Sequence, residues 1–146
     1  MIEVEGEYLA EMSSIECIDE WLQKIMEQVE FPYCKELHFA AHEAVINSIE
    51  ATEKYYGKNH HENIKIKIIA HKERVEIIIR DKCGGLKDEV AQSLNQIGFD
   101  DIIWNERGRG MLFIKHFVDN FTYDIDINGD AVFRLIKGVR KDGKNQ

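Results

Sequence analysis

Two runs of strict alternation constrain this chain more than any other feature. Ile64, Ile66 and Ile68 alternate with lysines, and Val75, Ile77 and Ile79 alternate again after a four-residue break at Ala70-His71-Lys72-Glu73. Successive side chains on a strand point to opposite faces, so each run presents one apolar face and the short break joins them as a β-hairpin. A hairpin cannot bury that face alone, and a second layer has to cover it.

The covering layer is legible in the helical periods. Ser13 or Ser14 is placed to cap a helix in which Ile15, Ile18, Leu22, Ile25, Met26 and Val29 recur, until Phe31-Pro32 stops it. From residue 33 to about 56 a second, Ala-rich helix carries Leu37, Ala40, Ala41, Ala44, Val45 and Ile49 on one stripe and ends near Gly57. Ile2, Val4 and Tyr8 point to a short first strand that Gly6 interrupts. Near the other end, Tyr123, Ile125 and Ile127 lead into Asn128-Gly129, a strong hairpin signal, and residues 131–137 return as a strand.

Residues 81–106 form the longest stretch without strong periodicity, with at most a short helix around 88–96, as expected of a functional loop or lid. A third helix is expected from 110 to about 119, with Met111, Ile114, Phe117 and Val118 facing inward. The expected fold is α+β: a two-layer α/β sandwich with its helices on one face of a largely antiparallel sheet. One domain should span residues 1–140, followed by a charged, loose tail at 141–146.

Composition narrows the function. A formal charge of −8 argues against nucleic acid as a direct partner, since that affinity comes largely from Lys and Arg neutralising phosphates. Any phosphate site must therefore be local. No run approaches the roughly 18 apolar residues of a membrane span, and Met1 opens an acidic segment, so the cytoplasm is the expected compartment and no membrane is expected as a partner. Cys17, Cys34 and Cys83 are odd in number and widely separated, which reads as isolated, reduced thiols.

Three segments can carry chemistry. Glu43 and Asn47 stand four apart on the second helix and project from one face; an Asn oxygen suits Mg²⁺, and a neighbouring carboxylate can accept a proton. The same pair also reads as a solvated helix face. Asp81 ends the second alternating run and Gly84-Gly85 follow, so a carboxylate able to take the exocyclic amine of adenine stands beside a backbone open to close approach. An ordinary strand-to-loop turn has the same composition. Gly108-Arg109-Gly110 opens a helix whose free N–H groups make an anion site, with Arg107 and Arg109 adding positive charge, or is simply a glycine-containing cap.

In this order the three segments resemble the N, G1 and G2 boxes of the GHKL nucleotide-binding superfamily of gyrase, heat-shock chaperones and histidine kinases. Within it, His42-Glu43-Ala44-Val45-Ile46-Asn47-Ser48-Ile49-Glu50 and Glu106-Arg107-Gly108-Arg109-Gly110-Met111 most resemble the anti-sigma factor serine/threonine kinases. The resemblance implies the GHKL ATPase (Bergerat) fold. It implies a homodimeric protein kinase that uses Mg-ATP to phosphorylate a small anti-anti-sigma (STAS-type) antagonist and that sequesters a sigma factor. Carried over by position, Glu43 is the general base, Asn47 the Mg²⁺ ligand and Asp81 the adenine-recognising carboxylate. Gly84, Gly85, Gly108 and Gly110 shape the nucleotide loops, and Arg107 and Arg109 lie near the phosphates. The sequence departs from the pattern twice: Cys83 stands where the first glycine of Asp-x-Gly-x-Gly is expected, and Asp130-Ala131 stand where the last strand is expected to bring a Thr.

Other readings compete. One is a GHKL-type ATP-binding or degenerate regulatory module that acts by partner binding without phosphoryl transfer. A histidine kinase is disfavoured because roughly 30 residues before the second helix leave no room for a dimerisation domain with a phosphoacceptor His. His38 and His42, four apart, can share a zinc ion, although His-x-x-x-His-Glu lacks the internal Glu of the usual zinc motif. Cys83 in a nucleotide loop suggests a redox switch, or a small buried side chain.

Overall fold

The structure, a computed structural model, describes residues 1–83 and 114–139. Along them run β1 (Ile2–Leu9), a one-turn 3₁₀ segment (Met12–Ser14), α1 (Ile15–Gln28), α2 (Cys34–Tyr56), β2 (Asn63–His71), β3 (Arg74–Asp81), β4 (Asn120–Ile125) and β5 (Ala131–Gly138). A further helical turn occupies 114–117. The short helix expected at 88–96, the first part of the helix expected from 110, and the tail expected at 141–146 lie outside the described residues.

The strands form one sheet in the order β1-β2-β3-β5-β4, and all of these pairings are antiparallel. Register brings the alternating runs onto a common face: Ile66 pairs with Ile79 and Ile68 with Ile77, while Ile77 and Ile79 pair across β5 with Leu135 and Phe133. These side chains are buried. α1 and α2 pack on each other, α1 touches β2, and α2 touches β3 and β5. The chain is thus the expected two-layer α+β sandwich, with its helices on one face of an antiparallel sheet. No helix among the described residues is long and apolar enough to cross a membrane.

The other sheet face is wet, and its charges are paired. Lys67 meets Glu3 at 3.1 Å, Arg80 meets Asp126, and Arg134 meets Glu76 at 3.0 Å. Glu76 is buried there, and Arg74, at 3.7 Å, is its second partner beside Arg134.

Four local expectations are corrected. β1 runs straight through Gly6, where a Cβ would meet Tyr8 at 2.9 Å and Trp21 at 3.2 Å, so the glycine makes room for Trp21 rather than breaking the strand. The β2–β3 break is two residues long, because Ala70 and His71 remain in register with Val75 and Arg74. Ser14 occupies the N-cap position of α1 as expected, but its hydroxyl makes no capping bond: Ser14 Oγ donates to Leu9 O at 2.8 Å and Ser13 Oγ to Glu11 at 2.6 Å. The β4–β5 hairpin forms, but around a longer loop. Asp126 Oδ1 accepts the N–H groups of Asn128 and Asp130, both at 2.9 Å, Gly129 takes φ +83°, and Ile127 is fully exposed.

Ile77, on the central strand and fully buried, tests this core. Ile77→Ala is expected to lower unfolding free energy by about 3 kcal/mol, read as a reduced urea midpoint at unchanged m-value.

Candidate functional site

The described candidate residues gather around α2. Leu37, Ala40, Ala41, Ala44, Val45 and Ile49 bury one stripe of it, and the alanines let the backbone lie close to the sheet. Phe39, Glu43 and Asn47 follow at four-residue spacing along the flank of that stripe, with Glu43 and Asn47 half-buried. Both are partly accessible from the helix surface.

Toward its C-terminal end the helix meets the end of β3. Alternation puts Val75, Ile77, Ile79 and Asp81 on the helix side, and Asp81 is only 2% exposed. Asp81 Oδ1 accepts the Cys83 N–H at 2.9 Å. The Cys83 thiol lies 3.3 Å from Thr52 Oγ1, which donates to Ser48 O at 2.8 Å. Tyr56 OH donates to Lys82 O at 2.9 Å. Desolvation, followed by nearby acidic groups led by Glu62, raises the Tyr56 phenol above its ordinary range, so it remains a donor through neutral pH. Residues 81–83 are in this way strapped to α2 at Thr52 and Tyr56.

Toward its N-terminal end the helix meets the 114–117 turn. The Phe39 and Phe117 rings lie 5.6 Å apart between centroids, and Phe117 is seven residues beyond Gly110. A cavity of about 840 Å³ opens there, walled in part by Gln23, Glu27, His38, Phe39, His42 and Phe117. Cys34 also lines it, and desolvation, then Glu27 and Glu36, raises its thiol above the ordinary range. Glu43 follows His42 directly in sequence.

α1 sets the rotation of α2. His42 Nδ1 lies 2.9 and 3.1 Å from the two carboxylate oxygens of Asp19, and His38 Nε2 lies 3.0 Å from Asp19 O. Those oxygens only accept, so the ring nitrogen facing them is in each case the protonated one. Both histidines of the zinc alternative are thus turned toward α1, and among the described residues no group of three or more His, Cys, Asp or Glu is placed to hold a metal ion. The reading of the sequence missed this network, whose one signal was two histidines a turn apart.

Glu43, Asn47 and Asp81 are therefore placed along one helix and the strand end bound to it. Gly84, Gly85, Arg107, Gly108, Arg109 and Gly110 lie outside the described residues. The donors fit a magnesium nucleotide: an accessible amide oxygen and carboxylate a turn apart suit a hard cation and its phosphates, and a sheltered carboxylate at a strand end suits the amine of a base.

Residues 8–136 match the family model of the histidine kinase-like ATPase domain. The chain belongs to that family. Membership in this ATPase family implies nucleotide binding, and it agrees with the two-layer fold. No curated protein matches the sequence. Among solved structures, a chain of the SiaB-SiaC complex from Pseudomonas aeruginosa is similar at a TM-score of 0.58 and 15% identity, with 93% of this chain and 89% of that chain covered. At that identity the likeness concerns the fold.

The Asp19 network generates a test of how this ATPase domain holds α2. Asp19→Ala should cost about 1–2 kcal/mol in urea unfolding. In a background already carrying His42→Ala, the same change should cost less, because the partners share one interaction.

Proposed function

We propose that this chain is an ATP-dependent serine/threonine protein kinase of the anti-sigma factor type, a cytoplasmic homodimer that phosphorylates a small STAS-type antagonist and sequesters a sigma factor. The observation that carries the reading is the geometry of α2, with Glu43 and Asn47 on an accessible face and contacts to both flanking segments. Cys83, two residues after Asp81, meets the helix on one side, and Phe117, seven residues after Gly110, meets it on the other. Membership in the ATPase family supports the nucleotide, and the similarity to a chain from a two-protein complex supports action on a protein partner.

Bound Mg-ATP would supply the transferable phosphoryl group. Asn47 would hold the Mg²⁺ through its amide oxygen, and Asp81 would accept the exocyclic amine of adenine. Gly84, Gly85, Gly108 and Gly110 would let the backbone approach the nucleotide, with Arg107 and Arg109 neutralising phosphate charge. Glu43, one turn from Asn47, would take the proton of the attacking serine or threonine hydroxyl, since phosphoryl transfer needs chiefly positioning, charge neutralisation and an oriented nucleophile.

The rival reading keeps the nucleotide and drops the transfer. Calorimetric titration with ATP, with and without Mg²⁺, tests the shared premise, and Glu43→Gln separates the two. The variant should bind ATP within about threefold of wild type and lose roughly 10²–10⁴-fold in transfer of labelled γ-phosphate to a captured antagonist protein. Unchanged transfer would remove Glu43 from the role of base, and absence of ATP binding in the wild type would defeat both readings.

A further inference from the structure

We propose that the buried link between Cys83 and Thr52 is a positioning device for adenine selectivity, joining the turn that carries Asp81 to the helix that carries Asn47. The inference rests on the reading in which Asp81 takes the exocyclic amine of adenine.

Cys83 is fully buried and engaged at both ends. Its N–H donates to Asp81 Oδ1 at 2.9 Å, and its thiol lies 3.3 Å from Thr52 Oγ1. Thr52 has one hydroxyl proton, given to Ser48 O at 2.8 Å, so toward sulfur it can only accept. The thiol is therefore the donor, and the link needs it protonated. The chain of bonds runs from the Asp81 carboxylate through Cys83 and Thr52 to the α2 backbone.

A glycine at position 83 would keep the N–H bond to Asp81 and lose the bond to the helix. Backbone conformation does not call for glycine here: the non-glycine residue at positive φ among the described residues is Glu30, so Cys83 adopts an ordinary negative φ. What the position contributes is its side chain. Thr52 lies five residues beyond Asn47 on the same helix, a rigid separation of about 7–8 Å along its axis. Through Cys83, that helical spacing sets where Asp81 stands relative to Asn47.

The test is the ratio of affinities for ATP and for inosine triphosphate, which carries an oxo group in place of the exocyclic amine, measured by calorimetry in the presence of Mg²⁺. Wild type should prefer ATP. Cys83→Gly and Thr52→Val should each lower that preference by about three- to tenfold, the range one hydrogen bond of this kind spans, and the double variant should lose no more than either alone. Cys83→Ser, which keeps a donor, should restore the preference, whereas Cys83→Val, which fills the space without one, should not. A general loss of stability would weaken both nucleotides together and leave the ratio unmoved, and urea midpoints report it separately. Preservation of the ratio in Cys83→Gly, or rescue by valine but not serine, overturns the positioning role while leaving the reading of Asp81 intact. A wild-type chain that binds ATP without preference overturns the reading of Asp81 itself.

Discussion

The sheet turns one face to the helices and the other outward, most sharply on its central strands β2 and β3, and that asymmetry determines where a polar side chain can stand. On β3 the odd positions from Val75 to Asp81 lie under the helices, and Glu76 and Arg80 lie on the outer face among ion pairs. A slip of one residue would exchange the two sets, so the isoleucine core fixes the register. The same register carries Asp81 to the buried side at the point where the strand ends. A carboxylate there is tolerable because it accepts a hydrogen bond from the next turn.

α2 meets the complementary requirement. Its alanine stripe brings the helix backbone down onto β3 and β5, and its remaining surface is left to Glu43 and Asn47. Leu37, Val45 and Ile49 pack into the core along that stripe, and a polar contact further restrains the helix. Asp19 does this from α1, through His42 and His38. The placement of Glu43 and Asn47 on α2 is thus supported by polar contacts from the neighbouring helix of the same layer.

The layered fold was legible because it rests on periodicity. Period two marked the strands, period 3.6 marked the helices, and α2 falls at Cys34–Tyr56 against an expectation of 33–56. The same logic placed Glu43 beside Asn47 and Asp81 at a strand end. What stayed hidden depends on partners far away in the chain. Gly6 reads as a strand breaker until Trp21 is seen to need its space, and Ser14 reads as a cap until Leu9 O takes its hydroxyl. Thr52 to Cys83 and Asp19 to His42 are likewise pairings across elements, which no local pattern encodes.

The two departures from the family pattern meet at Asp81. Ala131 is its register partner on β5, so the strand beside the carboxylate offers a methyl group where the resemblance expects a hydroxyl. Cys83, on the helix side, brings a hydroxyl into reach by binding Thr52. Polar support for the turn comes from α2 through Thr52 and Tyr56, and from Asp130 just before β5, which meets Lys82 at 3.4 Å. Such an arrangement ties the Asp81 end of the candidate site to the same helix that presents Glu43 and Asn47. A shift of α2 would then move all three together, and the Asp19 clamp that sets its rotation acts on the whole site rather than on one residue of it.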